Sequence, residues 1–284
     1  MPPTGKLVIC PTPLGNLGDM PARALDALHE ADTVCAEDTR VTGKLLAAFG
    51  ISKRLERLDE QAISSQADRI VDQVANGYVV VYCSDAGMPG VSDPGLRLVR
   101  AAQDAGVPVE VLPGPTAVAT AYVASGIDCP RFYFGGFFPR KASERAEALE
   151  QLKPLDAALV FYESPKRLAS ALAAIAQVYP NREVAVCREL TKLHEEVVRD
   201  RAGKVASLFA ERDRAGAIKG EIVMVIGNPS EQEGALDAQQ ALEAARMRAA
   251  ELKAEGGRSK KDIAAAIQAE FGIARNEAYA IAIG

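Results

Sequence analysis

Glu37, Asp38 and Arg40, in the string AEDTR, form the most chemically suggestive short group in this sequence. They follow an apolar run and so stand at the end of a predicted strand. A carboxylate pair beside a cation can orient a hydroxyl, accept its proton and steady a nearby anion. The string equally fits a plainer role, in which Arg40 pairs with Asp38 to hold a loop. Glu163 in FYESP, and Glu189 and Glu221 later on, are further carboxylates near predicted strand ends. Glu163 also suits capping of a helix that starts near Pro165. Of the two histidines, His29 and His194, the latter reads as a hydrogen-bonded structural residue rather than a base.

Cys10, Cys35, Cys83, Cys129 and Cys187 form no C-x-x-C pair, and most lie in apolar runs. They read as reduced packing residues. With two histidines and no clustered thiols, no metal site is expected.

Three loops rich in glycine and proline could hold a ligand: TPLGNLGD (12–19), SDAGMPGVSDPG (84–95) and LPGPTA (112–117). Each follows a predicted strand. In an open parallel sheet, ligands collect at the carboxyl ends of the strands, where such loops converge. The first lacks the G-x-G-x-x-G spacing of a dinucleotide fold. The second, after the most buried strand, is too elaborate for a plain connector. In the third, Thr116 is placed to cap the next helix.

The elements that must position these residues alternate regularly. Apolar runs at 6–11, 33–38, 78–83 and 107–112 read as buried strands, and 21–32, 41–50, 66–76 and 96–105 as helices between and after them. That rhythm implies an α/β fold with a parallel sheet covered on both faces. A second α/β set has strands at 131–138, 157–162, 183–190 and 220–227, with helices at 165–178 and 202–215. The segment 112–116 is the expected domain boundary, and 228–234 is polar enough for a linker. Beyond it, a tail rich in Ala, Glu, Lys and Arg suits several short helices. The division is therefore 1–115, 116–230 and 235–284.

The 284 residues, 48% hydrophobic and 25% charged, are ample for two globular cores. A formal net charge of −5 counts against coating nucleic acid by broad phosphate neutralisation, and leaves room for a local basic patch. Aromatic residues make up 5% and Trp is absent, which argues against a base-stacking platform as the main binding device. No signal peptide and no membrane-length apolar run is evident, so a cytoplasmic protein without membrane contact is expected.

Taken in order, AEDTR, SDAGMPGVSDPG, LPGPTA, GGFFPR, FYESPKRL, RELTKLHEE and KGEIVMVIG give the chain a specific resemblance. It resembles the tetrapyrrole methylase superfamily, and within it the 16S ribosomal RNA (cytidine) 2′-O-methyltransferase branch. The likeness covers about residues 5–228 and continues weakly into the tail. It implies two α/β domains with an S-adenosylmethionine cleft between them, a helical C-terminal extension, a homodimer, and 16S rRNA in the small ribosomal subunit as partner. Cofactor contacts are implied at Pro13, Ser84, Asp85, Ala86, Gly87, Thr116, Ala117, Tyr162, Glu163, Leu190 and Gly220, with Glu221 close by. Where family members carry Gly-Gly-Asp, this chain has Cys83, Ser84 and Asp85.

Methyl transfer to a ribose hydroxyl needs positioning and a proton acceptor. Glu37, Asp38, Arg40 and Glu163 are the catalytic candidates. Arg40, Arg140, Lys166, Arg167 and Arg188 are candidates for phosphate contact, as are Lys260 and Lys261 in the tail, each with a solvated surface as its alternative. Methylation of a small tetrapyrrole on the same fold, or a non-catalytic RNA-binding role that keeps a cofactor pocket, are the competing functions.

Overall fold

The computed structural model describes residues 5–284, apart from the side chains of 231–238. It resolves into two compact units: Met1–Glu150 with Ala157–Gly227, and Gln151–Asp156 with Asn228–Gly284. The expected boundary at 112–116 falls inside the first unit, which holds both α/β sets.

The first sheet is wholly parallel, with β1 (Lys6–Ile9), β2 (Thr33–Ala36), β3 (Leu55–Arg57), β4 (Val79–Cys83) and β5 (Val109–Val111) in the order β3-β2-β4-β1-β5. Residues of β4 point alternately to two cores. Val81 and Cys83 pack with Ala24, Ala27 and Leu28 of α1 (Ala22–Glu30) and Leu46 of α2 (Thr39–Ala48). Val80 and Tyr82 pack with Ile63, Ile70 and Val74 of α3 (Glu60–Ala75) and Leu98 of α4 (Gly95–Asp104). Burial on both faces explains the continuous apolar run of this strand. Asp59 starts α3 by accepting from the Ala62 amide at 2.9 Å.

The second sheet is mixed, in the order β6-β7-β10-β8-β9. β6 (Phe132–Phe137) and β7 (Ala158–Glu163) are parallel, whereas β8 (Glu183–Arg188), β9 (Glu196–Arg201) and β10 (Ile222–Ile226) pair antiparallel. One face packs Val160, Ala185, Cys187 and Val225 with Val118 and Ala121 of α5 (Ala117–Ser125). Helices α6 (Ala142–Leu152), α7 (Pro165–Val178) and α8 (Ala202–Arg214) complete this part, and α7 packs on α8. Pro165 opens α7, where its missing N–H costs nothing.

In the second unit, α9 (Glu231–Glu255), α10 (Lys260–Phe271) and α11 (Arg275–Ile283) enclose Ala245, Ala249, Leu252, Ile263, Ile267 and Ala278. The expected series of short helices is instead led by one of 25 residues. It begins at Glu231, inside the segment taken for a linker. Gly256 and Gly257 follow its end. All five cysteines are buried and unpaired by disulfides, and burial pushes the Cys35 and Cys187 thiols up to about 12. No described helix is long and apolar enough to cross a membrane.

Candidate active site

The carboxyl ends of β1, β2 and β4 carry the first three site segments. The loop after β1 is tied to the loop after β4 by reciprocal backbone bonds between Thr12 and Gly87, both 3.0 Å. The loop after β2 joins them when the Asp38 amide donates to Asp85 Oδ1 at 3.0 Å. Three loops distant in sequence thus share one hydrogen-bonded floor.

Beside it lies a cavity of about 300 Å³ whose lining includes Leu14, Glu37, Ser84, Asp85, Asp93, Phe137, Tyr162, Glu163 and Glu221. Among the described residues that line it, five are carboxylates and none is Lys or Arg. A groove of about 420 Å³, lined by Pro13, Leu14, Val41, Lys44, Ser84 and Glu221 among others, shares one wall with it. A third depression shares Glu37, Ser92 and Asp93.

Burial, with a crowding of acids, sets the electrostatics. Burial first, then the Asp85 and Asp93 carboxylates, raise the pKa of Glu37 above the ordinary carboxylate range, against an opposing contribution from the Asp85 amide. Burial likewise raises that of Asp85. Asp38 behaves in the opposite sense: hydrogen bonds from Arg40 hold its carboxyl well below the usual range. Its side chain accepts from the Arg40 amide at 2.9 Å and from Arg40 Nε at 3.0 Å, capping α2. Of the two roles open to this pair, loop-holding is the one the geometry displays. Burial pushes Tyr162 up to about 12, so its phenol stays protonated.

Two cavity-lining side chains hold buried polar atoms without a partner: Ser84 Oγ and Glu163 Oε2. The other oxygen of Glu163 is engaged, with Arg167 at 2.5 Å and the Ser164 amide at 2.6 Å. Asp93 accepts from the Gly90 and Gly95 amides at 2.8 Å and so shapes the loop that carries Ser92.

Of the expected cofactor residues, Ser84, Asp85, Ala86, Ala117, Tyr162 and Glu163 meet at the cavity, and Pro13 in the adjoining groove. Gly87 serves the backbone bridge. Leu190 lies in the core of the second sheet, and Gly220 is pressed against the Glu189 carboxylate. Thr116 precedes α5 without a side-chain cap, its carbonyl accepting from Thr120. Of the phosphate-contact candidates, Arg40, Arg140 and Lys166 are exposed, Arg167 is paired with Glu163, and Arg188 with Glu196 at 3.1 Å. Lys260 and Lys261 open α10 in the separate helical unit. His194 is exposed and has no hydrogen bond among the described residues, so the structural role expected of it is not observed.

Lys192 is a residue that sequence reasoning missed. Its ammonium sits between Glu189 (3.1 Å) and Glu221 (3.0 Å). The turn that places it uses two non-glycine residues at positive φ, Glu189 at 52° and Thr191 at 66°. Such strain persists only where surroundings impose it.

Residues 6–206 match the family described as Tetrapyrrole (Corrin/Porphyrin) Methylases. The chain belongs to this family. The tetrapyrrole methylase is 41% identical, over 80% of its length and 78% of the relative's, to ribosomal RNA small subunit methyltransferase I of Halalkalibacterium halodurans. The protein of the same name from Erythrobacter litoralis is 44% identical over 79% of this chain and 78% of its own. Among solved structures, uroporphyrin-III-C-methyltransferase from Thermus thermophilus superposes with a TM-score of 0.56 at 20% identity, covering 78% of this methylase and 94% of that chain. The last likeness concerns the fold.

Proposed function

We propose that this tetrapyrrole methylase is an S-adenosylmethionine-dependent enzyme that methylates the ribose 2′-hydroxyl of a cytidine in 16S ribosomal RNA. The observation that carries the acceptor is the 41% and 44% identity with small-subunit ribosomal RNA methyltransferases over about four fifths of the chain. The acidic cavity supports the cofactor: carboxylates without a basic neighbour in the lining suit a ligand bearing a sulfonium and an ammonium. Ser84 and Glu163 each bring one buried polar atom without a partner, Oγ and Oε2, to the walls of that cavity. S-adenosylmethionine, when bound, supplies a methyl group activated for in-line displacement.

Pro13, Ser84, Asp85, Ala86, Ala117, Tyr162 and Glu163 would hold it, with Gly87, Thr116, Leu190 and Gly220 shaping the walls. Glu37 is the proton acceptor best supported, since its raised pKa makes it a stronger base than an exposed carboxylate. Asp38 and Arg40 orient that loop, and Arg40 with Arg140 and Lys166 is exposed for phosphate contact. The same lining disfavours a carboxylate-bearing macrocycle, which would meet Glu37, Asp85 and Asp93 without a cation in the lining. Residues 1–115 and 116–230 provide the cleft, and 235–284, through Lys260 and Lys261, an additional RNA contact. The net charge of −5 favours a subunit-assembled substrate in the cytoplasm over naked RNA, and a homodimer is the working assembly.

The test is transfer of label from S-adenosylmethionine to small ribosomal subunits and to naked 16S RNA. Label on the subunits is expected. Tight cofactor binding with no labelled RNA would overturn the reading.

A further inference from the structure

The pairing of β6 with β7 runs Phe132 with Ala158, Tyr133 with Leu159, Phe134 with Val160, and then Phe137 with Tyr162. One extra residue has entered β6 between Phe134 and Phe137, which makes a β-bulge. Side chains alternate along a strand, so without the insertion Phe137 would face away from Phe134. With it, Phe137 joins Phe134 and Tyr162 on one face and reaches the cavity.

The bulge depends on glycine at both inner positions. Gly136 has φ +71°, and a Cβ on Gly135 would stand 2.1 Å from Cε1 of Phe161. The ring so placed is 61% exposed. It meets Tyr162 edge-to-face at 5.4 Å, and Tyr162 meets Phe134 in the same way at 5.0 Å, so its orientation is braced from below. Val91 and Ser92, the latter at φ +69°, line the same cavity. A strand bent to leave a phenylalanine in water gains nothing for the core.

We propose that Phe137 is the stacking face for the base of the acceptor nucleotide, held at the mouth of the cavity while its ribose faces Glu37. The proposal rests on the RNA-methyltransferase reading. Where a nucleotide is drawn out of its stack to bring its ribose to the cavity, an exposed aromatic face replaces the stacking that is lost. The 5% aromatic content argues against an extended base-stacking platform, but a single target nucleotide needs one ring.

The test compares wild type with F137A, F137L and F137Y, using labelled S-adenosylmethionine and small ribosomal subunits. Titration with S-adenosylmethionine alone serves as the control for folding and cofactor binding. Removal of the flat face in F137A and F137L should lower kcat/KM for the subunit roughly ten- to a hundredfold. F137Y should stay near wild type, and cofactor affinity should be unchanged in all three. Unchanged kcat/KM in F137A would overturn the proposal. So would an equal loss of cofactor affinity, which would put the cofactor's adenine on this ring, or a smaller assembly in sedimentation, which would make it a contact between copies. Failure of wild type to label RNA would instead overturn the parent reading and this proposal with it. Equal labelling by wild type and F137A would overturn the stacking role alone.

Discussion

The aliphatic stem of Lys192 occupies the space that a side chain at Gly15 would need: a Cβ on Gly15 would stand 2.3 Å from Lys192 Cγ. The loop after β8 therefore lies directly on the loop after β1, and Gly15 is small because Lys192 covers it. The same ammonium holds Glu221, which lines both the cavity and the neighbouring groove.

From this contact, Lys192→Met should weaken S-adenosylmethionine binding about fivefold, corresponding to ~1 kcal/mol from partly exposed ion pairs. Calorimetric titration measures it, and thermal denaturation should show little change. An unchanged affinity would make the lysine a purely local brace.

Glu37→Gln keeps the shape of the site and removes the proton acceptor. Single-turnover methyl transfer should slow by about a hundred- to ten-thousandfold, with cofactor affinity close to wild type. A variant of near-normal rate would assign proton removal elsewhere.

The pH dependence follows from the same residue. A base with a raised pKa stays protonated, and inactive, to a higher pH than an ordinary carboxylate. The acid limb of kcat/KM should therefore lie above the usual Glu range. Asp85→Asn removes a nearby negative charge that disfavours ionised Glu37, so it should move that limb to lower pH. A shift upward would contradict the assignment.

Arg167 and Arg140 should separate cleanly. Glu163 has a side chain with no exposure, and Arg167 is its cation. Arg167→Ala should cost about 3 kcal/mol in urea unfolding by leaving that carboxylate unpaired. Arg140 is exposed. Arg140→Ala should leave unfolding unchanged, while weakening subunit binding and flattening its dependence on salt.

The parallel half of the fold is legible because strands buried on both faces leave continuous apolar runs, as YVVVYC does for β4. β3, LER, is three residues long and nowhere buried, and β9, EVVRDR, alternates with solvent, so neither has such a run. The antiparallel pairing of β8, β9 and β10 is equally unmarked, since register depends on partners far away in sequence. Glu37, Ser84, Asp85, Tyr162 and Glu163 are readable as strand-end residues beside loops or a helix start. Phe137 and Lys192 are not, because one depends on a bulge reversing its facing and the other on a left-handed turn at Glu189 and Thr191. The adjacent glycines of GGFFPR were the available signal for the first. Arg40 is readable in its type but not in its partner: it pairs with Asp38 while its side chain stays exposed.

Methylation of a ribose hydroxyl is tested most directly by alkaline hydrolysis. RNA from small subunits labelled by the enzyme should yield its label in an alkali-resistant dinucleotide beginning with cytidine, because a 2′-O-methyl group removes the nucleophile that cleaves the chain. Label released in an ordinary mononucleotide would place the methyl group on a base and contradict the account.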